Sequence, residues 1–252
     1  MINASPLQLD IFKCIKETNK NILVRAAAGS GKTTTIVEAS KLLPRDSSSI
    51  FLAFNRHIKD ELSGRLPSNI QCNTIHSLGL TTLIKHYHIH FKLNEYKSFR
   101  FIKEKMREKN EVKKMNTKDE WVYLFNLKDM IELLRMNLTP LQPQAIFDIC
   151  SKYGIITIND EITDVIDIVA KINSYNKTFN RSKNELDYTD MVYLCATNKN
   201  IKVPLYDYVF VDECQDLNKV QMMFIERIIG FKGRLIAVGD HNQSIYGFAG
   251  SD

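Results

Sequence analysis

The stretch Ile22–Thr35, ILVRAAAGSGKTTT, decides how the rest of the chain is read. A short apolar run, Ile22-Leu23-Val24, ends in a turn of small residues, and Gly-Lys-Thr then opens a helical segment. This is the strand–loop–helix order of a phosphate-binding loop. Glycines at 29 and 31 let successive N–H groups curl around phosphate oxygens, and the helix N-terminus adds partial positive charge. Lys32 would reach the β- and γ-phosphates, and the Thr33 hydroxyl would take one position on Mg²⁺. Candidate nucleotide-binding residues are therefore Ala28, Gly29, Ser30, Gly31, Lys32, Thr33 and Thr34. The strict pattern GxxxxGKT wants glycine at position 26, where this chain has Ala26. A glycine turn before an unrelated helix is the competing explanation, and the strand in front and the threonine behind weigh against it.

Before this stretch, Ser5-Pro6-Leu7-Gln8 reads as a helix start, with Ser5 as N-cap, Pro6 at the first helical position and Gln8 closing a capping box. Leu7, Ile11 and Ile15 continue it as an apolar stripe to about Thr18. After the loop, a helix over Thr33–Leu43 stops before Pro44, and Ser49–Phe54 (SIFLAF) has the length and apolarity of a strand buried on both faces. A helix over Asn55–Leu66 and a strand over Ile70–Thr74 follow. The alternation returns with a helix over Asp187–Ala196 and a strand over Tyr208–Asp212. A helix over Asn218–Ile229, stopped by Gly230, and a strand over Arg234–Gly239 complete it. Strands separated by helices predict an α/β fold with a parallel sheet and right-handed crossovers.

Between these halves the texture differs. Residues 81–184 are helical, polar and lysine-rich, which predicts an inserted helical subdomain between 1–80 and 185–252. Lys92, Lys97, Arg100, Lys103, Lys105, Arg107, Lys109, Lys113, Lys114 and Lys118 crowd one segment. Such a run is ordinarily a solvated helix face, and the sharper alternative is a nucleic-acid footprint. His86, His88 and His90 alternate as metal ligands on a strand would, although no carboxylate or cysteine cluster accompanies them.

Ligands of open α/β sheets bind outside the carboxyl ends of the strands. The phosphate loop lies at such an end, and so does Asp212-Glu213-Cys214-Gln215-Asp216. An aspartate at the tip of an apolar strand suits Mg²⁺, and Glu213 beside it suits orienting or deprotonating an attacking water. An acidic strand end can also be a helix N-cap, since Asp216 precedes the next helix. The last strand runs into Gly239-Asp240-His241-Asn242-Gln243-Ser244, where Gln243 can sense a γ-phosphate. Together these predict ATP hydrolysis, with Lys32, Glu213 and Gln243 as catalytic residues and Thr33 and Asp212 as the metal ligands.

VDECQD, then VGDHNQSIYGFAGSD, with AAAGSGKT upstream, resembles the UvrD/Rep group of superfamily 1 DNA helicases. FLAFNRHIKDEL and CNTIHSLG are most similar to its F-box DNA helicase branch. The resemblance implies a RecA-like motor domain (1A) with the helical 1B insertion at 81–184. It implies that Gln8 reads adenine, against its reading as a cap alone, and that Gln215 and Gln243 couple the γ-phosphate to DNA-binding loops. It further implies that Phe54, Tyr246 and Phe248 stack bases of single-stranded DNA and that Thr74, His76 and Ser77 contact its backbone. Asn55, in the same stretch as Phe54, joins the DNA-binding candidates, and Leu186–Val192 (LDYTDMV) matches the acidic-aromatic segment re-entering the motor domain. The family's Tyr-Arg-Trp-Arg-Gly-Ala run is here Tyr246-Gly247-Phe248-Ala249-Gly250-Ser251, which keeps a ring but lacks two arginines.

Family members continue into a second motor lobe beyond the position of Asp252, with arginine fingers that are worth roughly 10³–10⁵ in rate in related NTPases. The expectation is therefore an N-terminal ATP- and single-stranded-DNA-binding portion of a 3′–5′ helicase that hydrolyses slowly by itself. Its partners would be single-stranded DNA and a second motor lobe, in a longer chain or another subunit. A binding module regulated by ATP without unwinding is the alternative, as is another P-loop ATPase with a basic helical insert. The net charge of +5 suits a polyanionic partner. Five scattered cysteines without a CxxC pair read as reduced thiols, and no run approaches a membrane span, so a soluble intracellular protein is expected.

Overall fold

The computed structural model describes residues 4–27, 29–109, 117–157 and 159–240. Its central sheet has five strands: β1 (Ile22–Arg25), β2 (Ser49–Ala53), β3 (Ile70–Thr74), β6 (Tyr206–Val211) and β7 (Ile229–Gly239). All pair in parallel in the order β1-β7-β6-β2-β3. Every residue of β2 is buried, and the period-two alternation of strand side chains divides them between two cores. Phe51 and Ala53 face a core shared with Ile15, Ile36, Val37, Leu62, Phe210 and Val238. That face carries the helices α1 (Pro6–Glu17), α2 (Lys32–Ser40) and α3 (Arg56–Ser63). Ile50 and Leu52 face the other way, onto Leu78, Met191, Leu194, Phe224 and Ile228. Those belong to α4 (Ile75–Tyr87), α9 (Tyr188–Thr197) and α10 (Lys219–Ile228). Helices on both faces of a parallel sheet make the doubly wound architecture that the sequence pattern predicts.

One local expectation is corrected. The last strand begins at Ile229, and α10 passes into it without a turn, so Gly230 is a strand residue and not a helix stop. Tyr206 pairs with Ile229 but Tyr208 with Arg234, so residues 230–233 swell out of the ladder. Gly233 permits this, since a Cβ there would lie 2.5 Å from the Tyr206 carbonyl oxygen. Helix α4 runs unbroken through residue 80, where the composition changes. Its buried face, including Leu78, Gly79 and Leu83, packs on α9 so closely that a Cβ on Gly79 would meet the Met191 carbonyl oxygen at 2.2 Å.

Beyond α4 the chain forms β4 (Lys92–Leu93), α5 (Lys97–Glu108), α6 (Thr117–Met136), α7 (Pro143–Lys152), α8 (Asn159–Asn176) and β5 (Glu185–Leu186). The four helices enclose their own apolar core around Ile102, Leu127, Met130, Ile131, Val165 and Ile172. β4 and β5 pair where the chain leaves and rejoins the sheet domain. His86 lies in the last turn of α4 and His88 caps it in a left-handed conformation, so the alternating histidines do not share a strand.

Much of the lysine run is spoken for inside the protein. Lys97, fully buried, reaches Asp190 and Asn176 at 2.6 Å each. Asp190 also accepts from Arg135, which reaches Asp187 at 3.0 Å. Burial alone would raise Asp190, but Arg135 and Lys97 outweigh it and hold the carboxyl below its ordinary value. Lys105 pairs with Asp167, and Lys109 lies 2.8 Å from Asp164.

Candidate functional site

The site is assembled where β1, β6 and β7 end. Gly29 and Gly31 take φ of 73° and 80°, the left-handed region that glycine enters at little cost. The chain can therefore turn from β1 into α2 with the loop exposed and Lys32 already buried. Lys32 Nζ lies 3.1 Å from Glu213 Oε2, although 181 residues separate them. The Thr33 hydroxyl donates to Asp212 Oδ2 at 2.8 Å. Ala26 N–H donates to the Gly239 carbonyl at 3.1 Å, tying the loop to β7.

Gln215 links the acids to the last strand. Its Nε2 donates to Glu213 Oε2 at 2.9 Å, and its Oε1 accepts from Asp240 N–H at 3.0 Å. The chain approaches so closely here that a Cβ on Gly239 would lie 2.4 Å from Gln215 Oε1. Glu213 itself has φ of 51°, a left-handed conformation that costs a residue other than glycine roughly 1–3 kcal/mol. That backbone turn aims the Glu213 carboxylate at Lys32 while Asp212 stays at the tip of β6 beside Thr33.

Asp212 is 3% exposed, and burial pushes its carboxyl above the ordinary value, with the Thr33 hydrogen bond opposing. An ionised carboxylate in that position gains from a cation. One carboxylate and one hydroxyl are hard oxygen donors of the kind Mg²⁺ takes alongside waters and phosphates, so the residues present fit that ion.

Gln8 forms the cap and also reaches the phosphate-loop helix. Its backbone and Oε1 complete the capping box with Ser5. Its Nε2 donates to Thr35 Oγ1 at 2.8 Å, which places the amide against the phosphate-loop helix. Thr34 Oγ1 accepts from Arg65 at 3.1 Å, and Ser30 Oγ donates to the Ala27 carbonyl at 2.7 Å.

The residues expected to meet DNA lie at the ends of β2 and β3. Phe54 follows β2 and is 40% exposed. Asn55 and Thr74 serve as N-caps, accepting from Ile58 N–H at 2.9 Å and Ser77 N–H at 3.2 Å. His76 packs edge-on against Tyr188, with ring centroids 6.2 Å apart, and burial lowers its pKa. Phe54, His76 and Tyr188 line a cavity of about 220 Å³ that Asp212 and Asp216 also border. Nucleic-acid candidates and the acidic strand end therefore share one opening. Tyr188, Arg65 and the Thr35 contact were not anticipated; Tyr188 was visible only as a ring in the re-entry segment. Ala28, Gln243, Tyr246 and Phe248 lie outside the described residues.

The family model for the UvrD/REP helicase N-terminal domain matches residues 7–252. The chain belongs to that family. Among similar proteins, F-box DNA helicase protein 1 of Schizosaccharomyces pombe is 26% identical over 250 residues, 96% of this chain and 28% of that protein. A probable DNA helicase II homolog of Rickettsia conorii is 24% identical over 95% of this chain and 38% of its own length. ATP-dependent DNA helicase Rep of Buchnera aphidicola (subsp. Acyrthosiphon pisum) is 26% identical over 94% of this chain and 38% of its own. The chain thus spans about 28–38% of the length of these UvrD/Rep relatives. Among the described residues, no helix is long and apolar enough to cross a membrane.

Proposed function

We propose that this chain is the ATP- and single-stranded-DNA-binding part of a 3′–5′ DNA helicase or translocase. Residues 1–80 and 185–252 form its motor domain and 81–184 its insertion. The observation that carries this reading is the meeting of Lys32 and Thr33 with Glu213 and Asp212 across some 180 residues of sequence. The polarity follows from the family resemblance.

In this arrangement, the amides of Gly29–Gly31 and the Lys32 ammonium receive the triphosphate, with Gln8 placed for the adenine. Asp212 and Thr33 hold Mg²⁺, which would offset charge on the β- and γ-phosphates. Glu213 is engaged by Lys32 and Gln215. As Lys32 turns to phosphate, Glu213 is released from its strongest partner and can accept the proton of the attacking water. Gln215 joins Glu213 to Asp240 at the end of β7, three residues before Gln243 in the sequence, so a change at the acids reaches the end of that strand.

On the DNA side, Phe54 offers a ring for base stacking and His76 lines the same opening, while Asn55, Thr74 and Ser77 sit at the starts of the adjoining helices α3 and α4. The compartment in which the protein works follows from its substrate and is proposed to be inside the cell. The test is ATP turnover with and without single-stranded DNA, for this chain and for a form extended by a second motor lobe. Stimulation by the strand, with unwinding in the longer form, supports the proposal. Strand binding and turnover that never drive unwinding would favour the ATP-regulated binding module.

A further inference from the structure

We propose that the insertion extends the single-strand surface of the sheet domain, with bases stacking on Tyr96, Phe125 and Trp121. The proposal rests on the reading above that the opening at Phe54 and His76 receives single-stranded DNA.

The rings form a connected track. His76 packs edge-on against Tyr188, and interaction with Glu95 raises the Tyr188 phenol above its ordinary pKa. The β4–β5 ladder and a 2.8 Å bond from Asn94 N–H to the Leu186 carbonyl hold residues 94–96 beside 186–188. Tyr96 then lies 6.0 Å from Phe99, centroid to centroid, and Phe99 lies 5.4 Å from Phe125. Phe125 stacks on Trp121 at 5.8 Å and an interplanar angle of 28°. Phe99 is buried and anchors the row, whereas Tyr96, Phe125 and Trp121 are 71%, 49% and 51% exposed.

A folded core would take these rings in; here they remain half in water although an apolar core lies directly beneath. The Lys103 ammonium sits 5.9 Å from the Trp121 ring centroid, giving the pairing of aromatic face and cation that single-strand-binding surfaces use. Continuity with the Phe54–His76 opening selects a nucleic-acid strand over a protein partner for this patch. Stacking also tolerates any base, as a surface along which a strand moves requires.

Trp121 is the only tryptophan in the chain, so its emission reports this surface alone. The experiment titrates oligothymidylates of about 6 and about 20 nucleotides, toward and beyond the two ends of the usual single-strand site size, following both binding anisotropy and tryptophan emission. The longer strand is expected to quench Trp121 and the shorter one to bind with little quenching. Trp121→Ala should weaken the longer strand about tenfold, within the range of one stacked base, leave the shorter one unchanged, and be largely rescued by Trp121→Phe. Tight binding of the longer strand with unchanged emission and full affinity in Trp121→Ala would overturn the proposal and leave the patch to a protein partner. Quenching by duplex alone would overturn it too. If neither strand binds, the single-strand reading of the sheet domain falls with it.

Discussion

Two clusters of charge in this protein are built from similar side chains and behave oppositely. At the strand ends, Lys32 and Thr33 meet Glu213 and Asp212, with Glu213 partly open to solvent. At the root of the insertion, Lys97 and Arg135 meet Asp187 and Asp190, with Asn176 bridging, and almost nothing reaches water. Both join segments remote in sequence. In the first, an exposed loop adjoins the Lys32 ammonium, so a ligand can replace one protein partner with another. In the second, rings of Tyr175 and Tyr193 cover the cations, and an exchange of partners would strand a buried charge. Exposure, not composition, separates a site from a rivet.

The largest effect should come from breaking the rivet. Asp190→Ala removes the shared acceptor of Lys97, Arg135 and Asn176, and a loss of roughly 3–5 kcal/mol is expected in denaturant unfolding. A loss near zero would make the junction no more than a surface pair. The same operation on the open cluster should spare the fold and damage the chemistry. Glu213→Gln is expected to lower turnover by about a hundredfold or more while nucleotide binding holds or tightens, because Lys32 no longer has a carboxylate competing for it. Single-turnover hydrolysis and equilibrium binding would separate the two effects, and weaker binding would contradict the exchange of partners.

A smaller effect has the opposite sign. Burial raises the Asp212 pKa, so the folded state prefers the protonated form. The stability gained from that proton is complete below the ordinary carboxylate pKa and is lost as pH rises through the raised value. At neutral pH the ionised group is a burden on the apoprotein. Asp212→Asn should therefore be more stable than the wild type in denaturant unfolding at pH 7, with the gain shrinking toward pH 4, while Mg²⁺-dependent turnover disappears. A destabilised variant at pH 7 would show that Thr33 and Lys32 already compensate the buried charge.

The sheet and the candidate phosphate site were legible in the sequence because their chemistry demands particular residues in order. A phosphate cradle needs small residues before Lys32-Thr33, and the apolar run SIFLAF has the length of a buried strand, although its last residue, Phe54, lies beyond β2 and half exposed. Lysines carry no such mark. Lys97 reads the same in a solvated run as in the sealed network, and only Asp190, 93 residues on, distinguishes the two. Gly230 read as a helix stop because local turn chemistry allows it; the ladder with Tyr206 claimed the residue before it. Gln8 was read as a cap or an adenine reader, and its short side chain meets both the capping box and Thr35. The aromatic row was only half legible: Trp121 and Phe125 are i, i+4 neighbours on α6, whereas Phe99 and Tyr96 join them through the packing of α5 on α6.

The central claim is that Lys32 and the Asp212-Glu213 pair converge on one triphosphate. Calorimetric titration of Mg²⁺-ATP into the wild-type chain and into Lys32→Ala tests it most directly. Saturable binding by the first, weakened by at least about a hundredfold in the second, is the predicted result, in line with a buried charge-assisted contact of 2–5 kcal/mol. Equal affinity in the two proteins would contradict the account.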